Sequence, residues 1–153
     1  MKKLLSILLV FSLFLVSCKE KIEKFSLSEE YYTTENKGLN KVDNYDPIQL
    51  AIDNQKSFAV YVFLSGCSTC RFFEPILEEY LDTNNLMFYS ISITITNETD
   101  NSISEVVDLA PSVILFNQGK VVTFLDSTSN KHTDYYKSVE GFNEWFTTYV
   151  ELN

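Results

Sequence analysis

The sequence predicts one α/β domain, a central mixed β-sheet flanked by helices. Three observations carry this. "SFAVYVFL", Ser57 to Leu64, is an almost unbroken apolar run rich in aromatic and β-branched residues, the pattern of a strand buried on both faces. Helical and extended patterns alternate around it. Beyond Pro111, two apolar runs lie on either side of "NQGK", which predicts an antiparallel hairpin.

Each element has its own signal. Phe25 to Asn44 has scattered aromatics, turn formers and no clean period, so a strand or short helix there is not placed. "DPIQLAIDNQ" predicts a helix with Asp46 as N-cap, Pro47 at the first position, and Ile48, Ala51 and Ile52 on one face. After the Ser57–Leu64 strand, "CSTCRFFEPILEEYLDT" repeats Phe72, Phe73, Ile76, Leu77, Tyr80 and Leu81 at helical spacing. Pro75 is expected to kink that helix. "LMFYSISIT", Leu86 to Thr94, predicts a strand. "NETDNSISEVVDLA" reads as polar and then helical from Ile103, Val106 and Val107. "PSVILF" and "VVTFL" form the hairpin, with Gly119 in its turn, and "DSTSNKH" is a loop. Phe142, Trp145, Phe146 and Tyr149 share one face of a closing helix. The predicted order is α-β-α-β-α-β-β-α.

The N-terminus bounds the compartment. Lys2 and Lys3 precede an apolar stretch from Leu4 to Val16, the charged and apolar regions of a secretory signal. "LVSC", Leu15 to Cys18, resembles a bacterial lipobox. That resemblance implies a signal peptide over residues 1–17, cleavage before Cys18, and a lipid on Cys18 that anchors the chain to a bacterial membrane outside the cytoplasm. An uncleaved anchor helix and an ordinary signal cut elsewhere are the alternatives. Residues 18–24, ending in "KEKIEK", then read as a lipidated tether, and residues 25–153 as the domain, with its core in 46–153. Loss of Lys2 and Lys3 takes the formal charge from −9 to −11. So acidic a chain excludes a nucleic-acid partner and attraction to anionic headgroups; membrane contact falls to the lipid.

Three cysteines are present, and lipidation of Cys18 leaves two, Cys67 and Cys70. A disulfide between residues three apart closes almost no loop and is a poor staple. Two cysteines alone do not complete a zinc site, and His132, the single histidine, lies far along the chain in a polar loop. No metal is expected. A redox pair, two core residues and an intermolecular metal site are the candidate readings.

The arrangement resembles the thioredoxin superfamily. The family places C-x-x-C at the start of the helix after a central strand, as Cys67-Ser68-Thr69-Cys70 stands here. Pro75 follows Cys70 by five residues, Pro111 opens the hairpin 41 residues beyond Cys70, and an amphipathic helix ends the chain. The resemblance covers Asp46 to Asn153. It implies a thioredoxin-like fold and a thiol–disulfide oxidoreductase. Cys67 is then the nucleophile, since the thiolate is the attacking species and a helix N-terminus favours negative charge. Cys70 is the resolving thiol. Ala110 and Pro111, joined by a cis peptide bond, pair with an extended substrate segment. No cofactor is needed, but a redox partner must reset the pair.

Combined with the N-terminal signal, this implies exported protein thiols and disulfides as partners. The sequence departs from the family at Gly66, where a Trp is common, and at Tyr61, where thioredoxins carry a buried acid. Glu74 and Glu78 are candidate substitutes for that acid, or surface glutamates; Arg71 is a thiolate neighbour or a surface cation. Two other functions also fit the pattern: an accessory binding module, as in bacteriocin transport, and delivery of a metal or thiol-ligated group. The Tyr31-Tyr32 and Tyr135-Tyr136 doublets read as half-buried edge residues.

Overall fold

A computed structural model of the chain describes residues 23–96 and 101–152. The predicted signal peptide, Cys18 and most of the tether lie outside the described residues. Among the described residues, no helix is long and apolar enough to cross a membrane.

Five strands form one mixed sheet: β1 (Gly38–Lys41), β2 (Phe58–Phe63), β3 (Met87–Ser92), β4 (Ser112–Asn117) and β5 (Lys120–Asp126). Their spatial order is β1-β3-β2-β4-β5. β3 runs parallel to both β1 and β2, while β4 runs antiparallel to β2 and β5. The helices are α1 (Asp46–Asp53), α2 (Ser68–Asn84), α3 (Ile93–Thr96) and α4 (Val139–Tyr149), with 3₁₀ turns at Glu29–Tyr31 and Thr133–Tyr136.

The central strand is what the apolar run requires. Phe58 to Val62 are fully buried, because both faces of β2 are covered. On one face, α2 and α4 bring Phe73, Tyr80, Phe142 and Phe146 into edge-on ring contact, and Phe88 of β3 joins them. On the other face, Phe58 stacks on Phe116 at 4.5 Å between ring centroids and packs on Tyr31 and Tyr89. Ile48 and Ala51 of α1 are buried there. Each such side chain contributes roughly 1.5–3 kcal/mol by leaving water.

Residues 25–44, left unplaced by the sequence, supply a 3₁₀ turn and an edge strand, β1, whose backbone pairs Leu39 with Phe88; Phe25 also bridges Val150 and so ties the start of the domain to its end. Three expectations are corrected. Tyr45, not Asp46, is the N-cap of α1, and Asn44 Oδ1 accepts from the Asp46 N–H. The helix expected from Ile103, Val106 and Val107 is a set of turns. The Asn101 side chain accepts from the N–H groups of Ile103 and Ser104 and donates to the Thr96 carbonyl, which caps a single turn rather than a helix. Tyr31 is a core residue, 3% exposed, not an edge one.

The hairpin turn explains Gly119. Gln118 and Gly119 both have positive φ, at 51° and 75°, as a two-residue hairpin loop that follows the strand twist demands. A Cβ at Gly119 would also run into the backbone carbonyl of Ile52. Gly119→Ala should therefore destabilise the chain by more than about 1 kcal/mol. Denaturant unfolding of the variant beside the parent checks this.

Candidate active site

The site forms where the sheet ends. Val62 of β2 pairs with Ser112 of β4. Past that pair the two strands release Leu64–Cys67 and Ala110–Pro111 at the same edge, so the strand register alone brings these loops together.

The connection from β2 to α2 is one tight turn. Cys67 N–H donates to the Leu64 carbonyl at 3.1 Å. Gly66, third in the turn, has φ +80°, the sign a type II turn needs at that position. The glycine is thus a conformational requirement of this turn.

Cys67 is the N-cap of α2, with extended φ/ψ of −67° and 122°. Its Sγ accepts a hydrogen bond from the Cys70 N–H at 3.1 Å. Sulfur occupies the place that a Ser or Asp oxygen takes at ordinary helix starts. A backbone N–H and the helix dipole together interact more strongly with an anion than with a neutral thiol. The Cys67 thiol also faces the Ala110 carbonyl at 3.9 Å, a long contact even for sulfur.

Cys70 lies one turn deeper. It is 3% exposed while Cys67 is half-buried, and both are free thiols. Burial, and then its interaction with Cys67, pushes the Cys70 thiol up to about 11. At neutral pH Cys70 therefore holds its proton.

The Ala110–Pro111 peptide bond is cis, as the resemblance implied. The loop is fastened from behind. Ser112 Oγ donates to the Leu109 carbonyl at 2.8 Å. The Tyr136 hydroxyl reaches two carbonyls, Pro111 at 3.0 Å and Leu125 at 2.8 Å, sharing one proton between them. Its ring packs edge-on against Phe73 at 4.6 Å, and Phe73 packs on Tyr61 at 6.1 Å. An aromatic bed thus runs beneath the pair.

The remaining candidates separate. Glu74 and Arg71 are exposed on α2. Glu78 is turned towards Gly38 of β1, and burial raises its carboxyl above the usual range. His132 is more than a solvated loop residue, since its Nδ1 accepts from the Asp126 N–H at 3.0 Å. Among the described residues, no three His, Cys, Asp or Glu side chains converge as metal ligands would. Tyr136 is the site residue that sequence reasoning missed. The Tyr135-Tyr136 doublet marks it as half-buried, but contacts 11 and 25 residues away have no local signal.

No family model matches the sequence, and no curated protein matches it. The backbone does match solved structures. A thioredoxin from Nicotiana alata aligns with a TM-score of 0.57 and 16% identity, over 78% of this chain and 98% of its own. A thioredoxin from Malassezia sympodialis gives 0.56 and 13%, over 80% and 98%. A mutant thioredoxin from Halobacterium salinarum NRC-1 gives 0.55 and 15%, over 76% and 94%. The chain therefore has the thioredoxin fold.

Tyr136→Phe removes the donor from two carbonyls, one in the cis-proline loop and one in β5. It should cost about 1–3 kcal/mol, read as a lower midpoint in thermal unfolding, with the Cys67–Cys70 pair still present.

Proposed function

We propose that the protein is a thiol–disulfide oxidoreductase in which Cys67 attacks and Cys70 resolves. The observation that carries this reading is the asymmetry of the pair. Cys67 Sγ is half-buried and receives a helix N–H; Cys70, one turn on, is buried and protonated.

The Cys67 thiolate attacks one sulfur of a substrate disulfide. A Cys67–substrate bond forms, and the first substrate sulfur leaves and takes a proton. Cys70 then loses its proton and attacks Cys67 Sγ. The Cys67–Cys70 bond forms, the second substrate sulfur leaves and is protonated, and two electrons have passed to the substrate. Reversal oxidises a substrate dithiol.

Ala110 and Pro111 present backbone to an extended substrate segment beside Cys67. Leu64, Phe72 and Leu109 are exposed apolar residues on the segments that carry the site, which suits a polypeptide substrate. The pair itself carries the electrons, so the proposed reaction needs no cofactor, and a second redox protein resets it. The lipobox-like "LVSC" extends the proposal: a lipid on Cys18 anchors the domain to a bacterial membrane outside the cytoplasm, where it acts on exported proteins.

Redox equilibrium tests this. A chain beginning at Lys19 is equilibrated against graded thiol/disulfide buffers, and free thiols are counted at each step. The expected result is one reversible two-electron transition. A potential near that of thioredoxin, roughly −270 mV, marks a reductase, and one far above it an oxidant or isomerase. A pair that never forms a disulfide overturns the proposal and favours an accessory binding module.

A further inference from the structure

Tyr61 is fully buried on β2, with its ring against Phe63 and Phe73. Among the described residues, the buried side-chain polar atoms without a hydrogen-bond partner are its hydroxyl and Trp145 Nε1. An unpaired buried hydroxyl is destabilising, a penalty that Phe at this position would not incur.

The charged or titratable groups that bear on that hydroxyl come from α2 and its N-cap: Cys70 first, then Glu74 and Cys67. The residues paired with Tyr61 across the sheet, Ser90 and Val113, are neutral. Cys70 is also within electrostatic range of Tyr136, as is Asp126. The Tyr136 hydroxyl, however, is already committed to the Pro111 and Leu125 carbonyls. The Tyr61 hydroxyl is close enough to interact with Cys70 but does not have the geometry of a formed hydrogen bond. Burial, reinforced by negative charge on Cys70, holds the Tyr61 phenol far above its ordinary range. It therefore stays protonated, a donor and not a base.

We propose that Tyr61 is a positioning residue for Cys70: its hydroxyl is idle while Cys70 is a thiol and donates to Cys70 Sγ when that sulfur becomes anionic. This rests on the oxidoreductase reading. In the mixed disulfide, Cys70 gives its proton to water. The proton inventory closes when the departing substrate thiolate takes one up. Between those events the Cys70 sulfur carries negative charge in a nearly dry setting. Tyr61 keeps its own proton throughout and supplies a donor to that charge. Placing the donor on β2, and not on a mobile loop, means it need not be recruited at each turnover.

The test substitutes Tyr61→Phe, which removes one oxygen and keeps the ring. In a Cys67→Ser background, the Cβ chemical shift of isotope-labelled Cys70 is followed against pH with and without the substitution. The midpoint should rise by about one to two units, the size expected for losing a hydrogen bond to a charged group. In the otherwise intact chain, decay of a mixed disulfide on Cys67 at neutral pH should slow by about three- to tenfold, because the smaller thiolate fraction is partly offset by a more nucleophilic thiolate. Thermal stability should be unchanged or higher, because an unpaired hydroxyl has been removed from the core. An unchanged Cys70 midpoint with an unchanged decay rate overturns the proposal. So does a loss of stability with an unchanged midpoint, which would make Tyr61 a packing residue. The chemical-shift titration requires no turnover, so it still reports on Tyr61 if the parent chain proves unable to cycle.

Discussion

The hydrogen bond from the Cys70 N–H to Cys67 Sγ joins the fold to the chemistry. It exists because a strand buried on both faces ends in a single tight turn, and the turn delivers Cys67 to the N-cap of α2. Gly66 makes the turn possible with its positive φ. Helix geometry fixes the spacing. The residue three past the N-cap carries an N–H that the capping atom accepts, and here that residue is the second cysteine. The same backbone atoms that begin the helix thus hold one sulfur as an acceptor and send the other inward.

Two kinds of burial then divide the pair. Cys70 is buried, within range of Tyr61 on β2 and Tyr136 in the Thr133–Tyr136 turn, and burial makes its thiol resist ionisation. Cys67 stays at the rim, facing the Ala110 carbonyl across the cis-proline loop. That loop is held by Tyr136, whose hydroxyl ties Pro111 to β5. The core face of the sheet is therefore also the floor of the site, and changes in aromatic packing there act on both stability and thiol chemistry.

Much of this was legible in the sequence, for identifiable reasons. β2, α2, the β4–β5 hairpin and α4 carry strong local signals: a doubly apolar run, helical spacing, a two-residue turn with Gly119, and an aromatic stripe. The placement of Cys67, Cys70 and Pro111 followed from their spacing within a known pattern. β1 was not legible, because Gly-Leu-Asn-Lys has no apolar period and becomes a strand by pairing with β3. The Ile103–Val107 segment misled. Its spacing is correct for one turn, but Asn101 satisfies the backbone donors locally and the chain then turns to reach Pro111. Tyr61 read as a departure from the family's buried acid. Its hydroxyl, facing Cys70 without a partner, is a three-dimensional fact that no window of sequence contains.

The asymmetry of the two thiols is the claim on which everything else rests. The direct measurement is alkylation of the reduced chain across a range of pH, with the modified cysteine mapped by mass spectrometry. Between Cys67 and Cys70, only Cys67 should react at neutral pH. Cys70 should become reactive as pH approaches its value of about 11, or when the chain is unfolded. Equal labelling of the two cysteines in the folded chain at neutral pH would contradict the account.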